Sequence, residues 1–187
     1  VIFLEKKMLS NRRNQIILAM VVLGVAGLAF IMYLNIRPEP QIEGVVQFPR
    51  PARGHDDTLI FDGIEVPPAG GEHYNIWQNC GIYAEPVQTG NAIHSMEHGA
   101  LWITYQPNLA SNEVAELEQH VRGETFLLLS PYPGQRSPIT LTAWGFQLEV
   151  DSANDGRIDD FIERYRLGPL TPELGGACTQ GVGVPLP

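Results

Sequence analysis

Three of the five histidines fall between residues 73 and 98, together with one of the two cysteines and one of the four methionines. The segment 70–105 reads GGEHYNIWQNCGIYAEPVQTGNAIHSMEHGALWITY, and its donors are His73, Cys80, His94, Met96 and His98. In IHSMEHG the donors alternate. On an extended backbone, a period of two puts His94, Met96 and His98 on one face and turns Ser95 and Glu97 away. Imidazole suits copper, zinc and iron, and a thioether adds a preference for copper because zinc gains little from a soft neutral sulfur. A thiolate from Cys80 would give a mixed nitrogen and sulfur set, of the ligand types found in electron-transfer copper sites. The residues therefore predict a copper site built from His94, Met96, His98, His73 and Cys80.

Two other readings use the same residues. His94-Ser95-Met96-Glu97-His98 fits H-x-x-E-H, in which two histidines hold zinc and the glutamate is the general base of a hydrolase. That motif needs a helix. Gly99 follows at once, Gly90 lies close upstream, and a third ligand such as Glu163 would have to come from elsewhere. Alternatively, Cys80 is bridged to Cys178, Met96 fills the core and the histidines are hydrogen-bonded, which describes a metal-free structural subunit. If only the bridge forms, His73, His94, Met96 and His98 remain, a neutral set that leans toward Cu(I). There is no glycine-rich phosphate loop, no G-x-S-x-G elbow and no haem-attaching Cys-x-x-Cys-His, so the expectation is an accessory or metal-binding subunit rather than an independent enzyme. The stretch 151–156, DSANDG, has the look of a calcium loop but lacks oxygen donors at Ala153 and Ile162, and reads as a turn into a helix. Tyr74, Trp77, Tyr83, Trp102 and Tyr105 are placed to shield the site, with Trp102 better suited to the core.

The elements that position these residues follow from pattern. ALWITY at 100–105 reads as a strand, and TFLLL at 125–129 as a buried strand. Residues 139–150, ITLTAWGFQLEV, read as one long strand able to bend at Gly145. Ser111 or Asn112 can cap a helix to about Val121, and Ile158, Phe161, Ile162 and Tyr165 mark a second helix over 156–167. A short strand is expected around 59–61. The predicted architecture is α+β: one N-terminal transmembrane helix, then a compact extracytoplasmic domain with an antiparallel or mixed sheet and two helices.

Residues 16–34 are nineteen uncharged positions that span about 28 Å as a helix, close to the hydrocarbon thickness. Lys6, Lys7, Arg12 and Arg13 precede them and Arg37 alone follows closely. The basic flank predicts a cytoplasmic tail at 1–15 and an outward C-terminal domain. A cleaved signal shares this order, but the run is long for one and lacks a clear small-x-small site. A proline-rich tether is expected at 35–54, the domain at 55–167 and an irregular tail at 168–187, held by the domain or by a partner. Residues 38–187 carry twenty carboxylates against seven arginines, a formal net of −13, which disfavours nucleic acid and favours cationic proteins or metal ions.

The stretches HxxxWxxCGxY at 73–83, HSMEHG at 94–99 and SPYPGQRSPITLTAWG at 130–145 resemble a bacterial membrane-anchored family of unknown function. The resemblance covers about 70–150 and implies an exported domain on a single anchor. Members of this kind are similar to an accessory subunit of the quinol-oxidising alternative complex III of filamentous green phototrophs. That implies partners among the membrane subunits of a respiratory or photosynthetic redox complex. It assigns no ligand.

Overall fold

The computed structural model describes residues 2–36, 41–49 and 51–187. It divides into two compact units, Val1–Gln41 and Ile42–Pro187. The first is a single helix, α1 (Ile2–Ile36), in which Asn14–Tyr33 is long and apolar enough to cross a membrane. The expected span at 16–34 lies almost wholly within that stretch, and the helix also takes in most of the expected tail. Residues 37–40 and 50 of the expected tether lie outside the described residues.

The second unit is an α+β domain on a mixed six-stranded sheet. Its elements are β1 (Val46–Gln47), β2 (Gly81–Ile82), α2 (Thr89–Glu97), β3 (Leu101–Tyr105), α3 (Ser111–Val121), β4 (Leu127–Pro131), β5 (Ile139–Ala143), β6 (Phe146–Val150) and α4 (Arg157–Tyr165). The strand order is β1-β6-β5-β3-β4-β2. β3 and β4 run parallel with α3 as their crossover, because parallel neighbours cannot be joined by a tight turn. β3–β5, β5–β6 and β1–β6 are antiparallel.

Alternation along the strands sorts the core into two layers. Leu101, Ile103, Leu127 and Leu129 face Leu117 and Val121 of α3 and Ile158, Phe161 and Tyr165 of α4. Trp102 and Leu128 face the other way, against Ala92, Ile93 and Met96 of α2. With both faces covered, β3 and β4 are buried at every position.

Three expectations need correction. The domain carries three helices rather than two, the addition being α2. The stretch 139–150 is a β5–β6 hairpin turning at Trp144-Gly145, not one bent strand. Residues 59–61 form no strand, whereas Val46–Gln47 in the supposed tether pairs with β6, and Ile42 and Val45 pack on the core. The tail at 168–187, expected to be held by the domain or by a partner, is laced to the domain by its own backbone: Cys80 N–H donates to Cys178 O, Asn79 N–H to Val182 O, and Leu186 N–H to Ile82 O, each at 2.8 Å.

The missed helix has a physical reason. Its polar residues are buried with its apolar ones, so no amphipathic contrast marks it. Ser95 Oγ donates to Gln78 O at 2.7 Å, and Asn91 Nδ2 donates to Ile76 O. Gly90, which argued against a helix, admits one by close approach: a Cβ there would stand 2.5 Å from the Tyr74 ring. Gly99, at φ +109°, then turns the chain directly into β3.

Candidate metal centre

The site lies on the side of α2 facing away from the sheet. At about 100° per residue, His94, Glu97 and His98 share one face, while Met96 lies about 200° from His94. Met96 is accordingly fully buried in the core with Ala92, Ile93 and Trp102. The alternation that would have placed Met96 between the histidines belongs to a strand, and this segment is a helix. Cys80 is bridged to Cys178, across 98 residues with Cα atoms 5.3 Å apart, so no thiolate is present at that position. Neither sulfur of the expected copper set is therefore offered to the site.

The side chains that do converge are His55, His73, His94 and Glu97, whose ligand atoms all lie within 4.8 Å of one another. The last three are buried and His55 is exposed. Two loops bring His55 and His73 together as a parallel bridge: His73 N–H donates to Gly54 O at 3.0 Å and Asp56 N–H to His73 O at 2.8 Å. The His55 ring lies 4.6 Å from that of His73 and 4.8 Å from that of His94.

Hydrogen bonds fix the ring orientations. The Nδ1–H of His73 donates to Gly71 O at 2.8 Å, that of His94 to Tyr74 O at 2.7 Å, and that of His98 to Ala177 O at 2.6 Å. A carbonyl can only accept, so in each ring Nδ1 carries a hydrogen, and in the neutral ring Nε2 keeps its lone pair. This backbone anchoring is the usual support of histidines that bind metal through Nε2. Burial lowers the pKa of His94 from its ordinary 6.5, against the raising effect of the Tyr74 carbonyl, and the neighbouring His98, His73 and His55 lower it further. A neutral, ligating form is thereby favoured.

His73 Nε2 stands 3.1 Å from Glu97 Oε2, and His55 Nε2 is 3.8 Å from the same oxygen. A nitrogen lone pair and a carboxylate lone pair share that space only around a positive centre, either a proton held between ring and carboxyl or a metal ion. Donors about 2.1 Å from one ion stand about 3.0 Å apart at a right angle and about 3.4 Å apart at a tetrahedral angle, so the spacing fits a shared cation. The other carboxylate oxygen, Oε1, accepts from Arg53 Nε at 3.2 Å.

His98 is set apart from this group. Its ring lies 4.7 Å from that of His94, yet its Nε2 is directed at Glu173 Oε2, 3.7 Å away. Trp77 lies over both rings, at 5.7 Å from His94 and 5.2 Å from His98. Of the other aromatic residues, Tyr74 contributes its carbonyl, while Trp102 and Tyr105 belong to the two core layers. α2 supplies the helix that H-x-x-E-H requires, but His98 is not in the converging group of donors and both oxygens of Glu97 are engaged. α4, which bears Glu163, packs on the opposite face of the sheet. Asp155 serves as a brace at the start of α4, accepting from Arg157 N–H at 3.0 Å, as the turn reading of 151–156 expects.

Sequence reasoning missed His55 and gave Glu97 a base's role. His55 sits in no periodic pattern, and only a contact across 18 residues brings it to His73. The available signal was scarcity, since His55 is one of only five histidines in the chain.

No curated protein and no solved structure matches the chain. The model of one family, described as protein of unknown function (DUF3105), matches residues 62–180, which hold His73, His94, Glu97, His98 and both cysteines but not His55. The chain belongs to the DUF3105 family.

Proposed function

We propose that this protein is a membrane-anchored, extracytoplasmic metal-binding domain that holds one divalent first-row metal ion through His55, His73, His94 and Glu97. The observation that carries the reading is the pair of constraints on His73: Nδ1–H committed to a carbonyl, Nε2 set 3.1 Å from a carboxylate oxygen. Three imidazoles and one carboxylate form a nitrogen and oxygen set of borderline hardness, suited to zinc, iron or cupric copper. With Met96 in the core and Cys80 bridged, nothing favours Cu(I). Copper remains part of the proposal in its cupric state, which stands highest for such donors in the divalent series.

The disulfide supports an oxidising compartment, and the basic flank of α1 supports an outward domain. An accessory place beside the subunits of a redox complex rests on the anchor and the family resemblance, and co-purification from native membranes tests it. The full chain, stripped with chelator and kept in detergent, should take up one tight equivalent of Zn(II) or Cu(II) in a calorimetric titration, with Cu(II) the tighter. No tight binding of either ion would overturn the proposal.

A second reading is favoured by the bridge and the anchored rings: a metal-free scaffold in which a protonated His73 pairs with Glu97 beside Arg53. It expects the stripped and the gently prepared protein to have equal thermal stability.

A further inference from the structure

We infer that His98 and Glu173 form a second, outer metal position, weak and reachable from solvent, through which a divalent cation passes to the four-ligand centre. The inference rests on the metal-binding reading and extends it to residues outside that centre.

His98 is 5% exposed, and its Nδ1–H is fixed on Ala177 O, as those of His73 and His94 are fixed on their own carbonyls. Its Nε2 nevertheless takes no part in the inner cluster. It faces Glu173 Oε2 at 3.7 Å, too long for a hydrogen bond. That spacing matches two donors on one ion about 2.1 Å from each, at an angle of about 120°. Glu173 is half-exposed, so this position meets water, whereas three of the four inner ligands are buried.

Glu173 is held there by the chain itself. Its N–H donates to Glu97 O at 3.0 Å, and Gly175 N–H donates to His98 O at 3.0 Å. The C-terminal segment thus lays its carboxylate beside α2, one helical turn from His94. Arg53 Nη2 lies 3.8 Å from Glu173 Oε1, and Arg53 Nε is bonded to Glu97 Oε1. Two protein donors suit a position of passage, and four donors suit the resting place.

The experiment uses the full chain in detergent, stripped of metal, with Zn(II) as the probe. Equilibrium titration of the wild type should show a tight class and a second, clearly weaker class, because two protein donors hold an ion less firmly than four. His98→Gln and Glu173→Gln should each abolish the weak class and slow filling of the tight one, Glu173→Gln by about tenfold because it also removes the negative charge that steers a cation inward. Tight affinity should stay within about threefold. Glu173→Gln sits on a half-exposed side chain and guards against misfolding of the His98 variant. A tight class with no weak class, or unchanged filling rates in both variants, would overturn the inference alone. Absence of the tight class in the wild type would instead overturn the metal-binding reading beneath it.

Discussion

His73 and Glu97 are locked face to face, 3.1 Å apart, by two anchors on opposite sides: the Gly71 carbonyl holds the far nitrogen of the ring and Arg53 holds the far oxygen of the carboxylate. Neither group can turn away without leaving a buried partner unsatisfied, which costs about 1–3 kcal/mol. The pair is therefore a preformed seat for a positive charge.

Removing the seat should remove the ion. Glu97→Gln keeps the size but takes away the charge, and His94→Ala removes the ligand carried by α2. Each should weaken Zn(II) binding by at least the 10- to 100-fold, roughly, associated with disturbed supporting groups. Competition against a chromophoric chelator measures this directly.

Met96 should behave as core and not as ligand. Met96→Leu should leave metal affinity unchanged and alter stability by less than about 1.5 kcal/mol. Met96→Ala should cost about 2–5 kcal/mol through the cavity it leaves. Denaturant unfolding with parallel metal titration separates the two effects, and a loss of stoichiometry in Met96→Leu would restore the thioether to the site.

The Cys80–Cys178 bridge closes a loop of about a hundred residues and fastens the segment that carries Glu173 and Ala177. Replacing both cysteines by serine should lower stability by about 2–5 kcal/mol. Limited proteolysis should then cut first within residues 168–187, since their remaining ties are backbone hydrogen bonds and side-chain contacts.

Acid should act on α4 through Asp155. The Arg157 guanidinium beside it holds its carboxyl below the ordinary 3.8. A group with a lowered folded-state pKa contributes stability above its unfolded value and loses it as the pH falls through its folded value. Asp155→Asn should therefore be less stable than wild type at pH 7, and the gap should close as the pH drops below about 3.8. Paired thermal melts across that range read the difference.

Strands β3 and β4 and helices α3 and α4 were legible because their burial is one-sided or complete. Leu117 and Val121 on α3, and Ile158, Phe161 and Tyr165 on α4, recur at helical spacing, and LLL in β4 is apolar throughout. α2 was not legible, since His94, Ser95 and Glu97 are as buried as Ile93 and Met96. Reading that stretch as extended gathered the wrong third donor: it joined Met96 to the histidines and excluded Glu97. His55 was beyond reach for a different reason, because a loop-to-loop contact leaves no periodic trace. The segment 70–98 does hold three of the four converging side chains, as a concentration of imidazoles is legible whatever the backbone does.

The most direct test is X-ray absorption at the edge of whichever metal accompanies full-length protein prepared without chelator or polyhistidine tag. One metal per chain is expected, with nitrogen and oxygen scatterers at about 2.0–2.2 Å, imidazole outer-shell features and no sulfur near 2.3 Å. A sulfur shell, or protein that carries no metal and accepts none, would contradict a centre made of His55, His73, His94 and Glu97.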